Sequence, residues 1–327
     1  MYDYPTMTDT TYAELTTLPD DQGPGGSHLE APVPNLSHTP KAIMLAVIAI
    51  PFIGVLAAIT LAWGSAITWL DVALLLGMYF PAAAGITVGF HRMLTHKAFE
   101  APAWVRGTIL ALGSMAVEGA ALTWAVDHRT HHAHSDRDGD PHSPHAGRGD
   151  GLLQALHGLY HAHMGWLFER DRVRLAKKYG KDLMADPVTM FIQRTFLVWA
   201  VLGFVIPGLI GGAFGGWRGF LGGVFWGGLV RVFFNHHITW SINSICHVFG
   251  RRPFRSTDLA TNNWLLAIPS LGESWHHNHH VFPTSARHGL QKGQIDISAG
   301  IIRGLEKVGL AWNVRQPSSE QIDRKRK

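Results

Sequence analysis

Three histidine clusters lie far apart in this chain and share one grammar. They are His91 with His96, His128 with His131 and His132, and His276 with His279 and His280. Residues i, i+3 and i+4 fall on one face of a helix, so the second and third clusters each aim three imidazoles at one point. His91 and His96 are about 140° apart around an α-helix and suit a helix end, where the chain can bend around an ion. Asn243 and His247 are i and i+4 and face one way. This pattern suits an imidazole-only metal centre. With His247 the candidates number nine, too many for one ion with about four ligands, so two metals are the economical count. Asn243 would reach one of them directly or through water. Imidazole suits Zn, Cu, Fe or Ni, and the lack of thiolates disfavours Cu(I) and iron–sulfur clusters. Zinc would suit hydrolysis or transport; iron would suit oxygen activation. The remaining histidines read as ordinary polar residues, with His134 and His277 nearest to joining the site.

Long apolar blocks must carry these residues. Hydrophobic residues make up 46% of the 327 and charged ones only 16%, which points to a bilayer protein. Four runs, at about 43–63, 66–90, 195–215 and 220–241, are long enough to cross the hydrocarbon core. The second leads into His91 and the fourth into Asn243 and His247. Gly64-Ser65 allows a tight turn between the first two. A crossing by 103–126, which contains Glu118, would put the first two clusters on opposite faces. That run is therefore expected to be an interfacial or buried helix. The expected fold is an all-α integral membrane protein: four transmembrane helices and a cytosolic helical cap holding a histidine-rich dimetal site.

Residues 91–190 carry twelve Lys/Arg, those after 248 another twelve, and the opposite turns only Arg218. The positive-inside rule places both termini and every histidine cluster in the cytoplasm. Residues 1–40, acidic and rich in Thr, Pro and Gly, read as a flexible tail without a secretory leader. Residues 41–313 form the main domain and 314–327 a basic tail. Ile301, Leu305 and Val308 follow helical spacing, with Ser298 as N-cap. The single Cys246 excludes an internal disulfide. The basic balance suits anionic lipid or substrate and not nucleic acid.

The three clusters resemble the histidine boxes of membrane fatty acyl desaturases. Gly85 to Arg92 (GITVGFHR), Trp124, Asp140-Pro141-His142, Gly165-Trp166-Leu167, Trp240 to His247 (WSINSICH), Gly272-Glu273 and Phe282-Pro283 resemble the acyl-CoA Δ9 branch over residues 42–312. The resemblance implies a diiron site with nine histidine ligands and a water held by Asn243. It implies O₂ as oxidant, two electrons from a reductase, and a cis double bond made in a saturated acyl chain. Removing hydrogen from a saturated chain is beyond any side-chain acid or base, so a cofactor must carry that step. Zinc could occupy the site as a wrongly loaded metal. The family also implies an acyl tunnel beside Trp124 and Trp240, closed by residues on the second span, for which Tyr79 and Leu75 are the candidates.

Animal members have Arg-Asp before the second box, and here the pair is Val126-Asp127. The carrier is therefore open between CoA, acyl carrier protein and phospholipid, with CoA first and Asp127 as a candidate substrate contact. No His-Pro-Gly-Gly haem signature occurs, which implies a separate ferredoxin or flavin reductase. Arg231, inside the fourth span, needs a partner or water; Glu118 is preferred over Asp71, the pair orienting the site. Glu273 is expected to support a box imidazole. A hydroxylase on the same scaffold is the close rival. A metal transporter is the remote one, since its ligands would sit near mid-membrane.

Overall fold

Among the described residues, three helical runs are long and apolar enough to cross a membrane: Lys41–Thr60, Trp69–Thr95 and Phe196–His247. They belong to a computed structural model that describes residues 38–63, 67–145, 151–168 and 172–327. The expectations for residues 1–37 and for the turn at 64–65 lie outside the described residues. Helix α1 spans His38–Trp63. Helix α2 spans Trp69–Ala84 and continues, π-wound, through Gly85–Thr95. Short helices follow: α3 (Ala103–Ser114), α4 (Ala121–His134), α5 (Leu152–His163), α6 (Arg172–Tyr179), α7 (Lys181–Ala185) and α8 (Pro187–Arg194). Then come α9 (Phe196–Gly222), a π-wound Gly223–Val230 and α10 (Arg231–Ser244). Short helices α11 (His276–Val281), α12 (Ile297–Lys307) and α13 (Ser319–Lys325) complete the chain. The described residues contain isolated β-bridges and no strand.

The third apolar run is 52 residues long, roughly twice what one crossing needs. It is not straight. Gly215 and Gly216 leave helical geometry, Gly216 at φ 58° and ψ −149°. The chain then folds back antiparallel, with Gly211 against Gly219, Gly208 against Val224, and Gly228 against Phe204. Ile43, Ile53 and Ile59 on α1 and Leu197, Val201 and Leu209 on α9 are exposed. So much open apolar surface suits hydrocarbon better than water.

Asp71 is explained locally. Thr68 caps α2, and Asp71 Oδ2 accepts from the Thr68 backbone at 2.8 Å and its hydroxyl at 2.7 Å, a capping box. Residues 103–126, expected to form one helix, instead break at 115–120, where Val117 and Gly119 take positive φ. At 12 residues, α3 is about 18 Å long and too short to cross the hydrocarbon core. A helix end buried in this way leaves carbonyls without partners.

Arg231 supplies those partners. Fully buried, it donates to the carbonyls of Met115, Gly203 (2.8 Å) and Gly227 (3.1 Å). His236 Nε2 lies 3.0 Å from the Val117 carbonyl. The expected Arg231–Glu118 pair is therefore not formed. A guanidinium at a helix C-terminus meets the negative end of the dipole and needs no carboxylate. Asp296, not Ser298, caps α12, accepting from Ala299 N at 2.9 Å; the Ser298 hydroxyl bonds Thr87 at 2.7 Å instead. The C-terminal residues pair with 253–255, with Arg255 N donating to Lys325 O at 2.8 Å.

The π-wound segment packs directly on α3. A methyl group on Gly85 would collide with the backbone of Leu112 and Gly113, whereas one on Gly77 meets nothing within 4 Å. Gly85→Val should abolish monodisperse protein in detergent, because backbone cannot yield as a side chain can. Gly77→Ala should leave the yield at the wild-type level; size-exclusion chromatography of both checks this.

Candidate metal centre

Two clusters of imidazoles form where α2, α4, α10 and α11 end together. His91, His96, His128, His132 and His279 make one; His131, His247, His276 and His280 make the other. Within each, one ring nitrogen per residue lies within 4.8 Å of the others. The π winding explains His91 and His96. A π-helix bonds residue i to i+5, and here the His96 N–H donates to the His91 carbonyl at 3.2 Å. Residues five apart thus fall on one side, and the two rings meet edge to face with centroids 4.9 Å apart. His128, His131 and His132 rise from α4, and because α11 starts at His276 its three rings project along one short turn.

The Nε2 atoms converge. In the first cluster His132 lies 3.0 Å from His128 and 2.9 Å from His279, and His91 lies 3.1 Å from His279. In the second, His247–His276 is 3.0 Å, His276–His280 3.1 Å and His131–His280 3.3 Å. Two nitrogens about 2.1 Å from a shared ion lie about 3.0 Å apart at a right angle and about 3.4 Å apart at the tetrahedral angle. Both clusters fit an ion, and most of the spacings lie nearer the right angle.

Carboxylates fix the other ring nitrogen. His91 Nδ1 lies 2.5 Å from Glu273, His131 Nδ1 2.9 Å from Asp140, His247 Nδ1 3.0 Å from Asp136 and His280 Nδ1 3.3 Å from Asp258. A carboxylate accepts the Nδ1 proton and leaves Nε2 a bare lone pair. His131 Nε2 and His280 Nε2 are thereby aimed at each other, close enough to share a cation. Burial and the crowd of neighbouring rings hold His96, His128, His132, His276, His279 and His280 well below the ordinary imidazole range, so they are neutral donors. Burial depresses His131 too, but Asp140 outweighs it and raises the pKa. Burial would raise Glu273; His91, Arg92 and His288 hold it well below the usual carboxylate range.

Arg92, fully buried, ties this shell to the C-terminal region. It reaches Glu273 at 3.0 Å, Asp296 at 2.9 Å and the Ala286 carbonyl at 2.8 Å. His288 Nδ1 lies 3.2 Å from Arg92 and 3.3 Å from Glu273. His288 and His142 thus border the site, whereas His134 meets Tyr179 and His277 braces the backbone of Phe254 and Ala260. Sequence spacing did not single out Asp136, Asp258 or His288. Asp140 and His142 lay inside a quoted motif without a role.

A cavity opens beside both clusters, reaching His91 and His128 of one and His276 of the other. Asn243, Trp124 and Tyr79 line it. Trp124 stacks on His128 at 5.2 Å and donates its indole N–H to Glu118 at 3.3 Å. Leu75, Trp240 and Asp127 do not line it. Leu75 is one turn too far along α2. Trp240 packs among His163, His236 and His237, and Asp127 is buried on α4. Glu118 sits behind the cavity wall, accepting the Thr239 hydroxyl at 2.9 Å.

A family model described as fatty acid desaturase matches residues 67–296. A hex-5-enoyl-(acyl-carrier protein) acetylenase of Moorena producens is 42% identical over 279 residues, covering 85% of this chain and 87% of that protein. Delta-9 acyl-lipid desaturase 1 of Arabidopsis thaliana is 39% identical, covering 78% of each. The sn-1 stearoyl-lipid 9-desaturase of Anabaena variabilis is 35% identical, covering 78% of this chain and 87% of that protein.

Two measurements follow from the geometry. Glu273→Gln should weaken metal retention about 10–100-fold, because His91 loses its charged acceptor; metal content against graded chelator reads this. Burial raises Glu118 to about 8 from 4.5. The folded form stays protonated while the unfolded chain ionises, so stability is full below the unfolded pKa and is lost as pH rises through the folded one. Wild type should therefore lose more thermal stability in detergent than Glu118→Gln between about pH 5 and pH 8.5.

Proposed function

The chain belongs to the fatty acid desaturase family, and on that footing we propose that it is an O₂-dependent acyl desaturase that sets a cis double bond, at Δ9, into a saturated long-chain acyl group. One observation carries the reading. The cavity between α2 and α10 is walled by Ala83, Ile86, Ile238 and Ile242 and touches imidazoles of both clusters. A saturated chain needs such an apolar slot, and its reacting methylene pair would lie against both clusters at once.

The residues that would hold two iron ions are His91, His96, His128, His132 and His279 for one and His131, His247, His276 and His280 for the other. Iron bound there would supply the oxidising power that no side chain has. Asn243 lines the cavity beside His276 and would hold a water toward the four-histidine cluster. Trp124 forms a wall of the slot and braces His128. Tyr79, its hydroxyl anchored 2.6 Å from the Pro269 carbonyl, stands at the end remote from the imidazoles. Glu273, Asp140, Asp136 and Asp258 orient rings and keep their Nε2 lone pairs free.

In this reading α1, α2 and the two arms of the folded-back run make four crossings. Both termini and the metal centre lie in the cytoplasm, in keeping with the Lys/Arg distribution. Two electrons come from a separate ferredoxin or flavin reductase. The acyl carrier is CoA, acyl carrier protein or a lipid; Asp127, being buried, is no headgroup contact.

Expression in a desaturase-deficient host, with fatty-acid methyl ester analysis, tests the proposal. The expected product has lost two hydrogens, with a cis bond at one position. A product that has instead gained one oxygen would overturn it in favour of hydroxylation.

A further inference from the structure

At one end of the cavity an amide oxygen is buried without a hydrogen-bond partner. Asn235 lies on α10, eight residues before Asn243 and twelve before His247, or about 12 Å from Asn243 along the helix axis. It is 3% exposed and lines the cavity, yet its Oδ1 is buried without a hydrogen-bond partner. The other polar groups at this depth are engaged. Tyr79 donates to Pro269 and Thr239 to Glu118. Arg231, one turn earlier, is taken up by three backbone carbonyls. A buried amide without a partner is disfavoured, and in native proteins such groups have a specific explanation. The amide can be turned over, so its free end is a donor or an acceptor.

Its place gives that explanation. Between Asn235 and the imidazoles the walls are apolar, with Ile238 and Ile242 on α10 facing Ala83 and Ile86. On α10, Asn235 is the lining residue farthest from His247, and on α2 Tyr79 is the one farthest from His91. Both helices run toward the imidazoles, so the two residues mark the same remote end. Resting on the reading of this cavity as an acyl chamber, we propose that Asn235 is its chain-length stop. Its amide is a polar floor that a methyl terminus approaches but cannot cover. A chain one step too long seals the amide away from any partner. A chain ending in a hydrogen-bonding group satisfies it. Tyr79 limits the chamber by bulk and Asn235 by polarity.

Leucine has the branched skeleton of asparagine without its hydrogen-bonding atoms, so Asn235→Leu separates the two effects. In the desaturase-deficient host, saturated acids of increasing length are supplied and the unsaturated products are read by chain length. Wild type should show a sharp cut-off. Asn235→Leu should convert the first excluded length about tenfold better relative to the best length. At that same length, wild type should prefer the ω-hydroxy acid over the plain one, and Asn235→Leu should reverse the preference. Asn235→Val gives the same reading should the leucine protein not accumulate. Identical cut-offs in wild type and variant, or a wild type indifferent to the ω-hydroxyl, would overturn the stop alone. No unsaturated product at any length would overturn the desaturase reading and the stop with it.

Discussion

Bare imidazole lone pairs repel, and much of this molecule holds a crowd of imidazoles where they do so. Six of the rings are held neutral by burial, and their nitrogens approach to 2.9–3.1 Å, where two bare lone pairs have no hydrogen bond to share. Their arrangement is unfavourable unless something else fixes each ring. Four carboxylates do part of this, taking up Nδ1 protons and defining which nitrogen faces inward. Stacking of Trp124 on His128 does another part. Together these contacts fix the direction in which each ring nitrogen points.

Two departures from regular helix make that arrangement possible, and both carry a backbone problem into an apolar setting. The π winding of Gly85–Thr95 brings rings five residues apart onto one side. It lies so close to α3 that only glycine fits at position 85. The break between α3 and α4 lets the second cluster return beside the first, but it exposes carbonyls where water is scarce. Arg231 and His236 answer them from α10, the helix that also carries Asn243. Site geometry and helix capping thus share one element.

The sequence revealed what ordinary periodicity can reveal. His128, His131 and His132, and His276, His279 and His280, could be grouped because α-helical spacing brings i, i+3 and i+4 together. His91 and His96 could be suspected but not placed, since a π turn leaves no plain mark in residue types. Arg231 was matched with Glu118 because a sequence displays charges and hides carbonyls. Asp136 meets His247 across 111 residues of chain, a contact no local pattern encodes. Leu75 and Trp240 were assigned to the tunnel by analogy; Leu75 lies one turn beyond the lining residue Tyr79, and Trp240 packs among His163, His236 and His237. Asn235 drew no notice because one asparagine beside His236 and His237 is unexceptional until its surroundings are known.

Each cluster draws its members from distant parts of the chain. His132 and His279 are 147 residues apart, and His91 and His279 are 188 apart. An ion held between them acts as a cross-link, and tying off a loop of that size removes chain entropy worth on the order of 5 kcal/mol from the unfolded state. Neither cluster is complete until residues 276–280 have been synthesised and delivered back to helices placed long before. Metal capture is therefore bound to come late in biogenesis. The ions would serve as rivets driven after the frame has been raised.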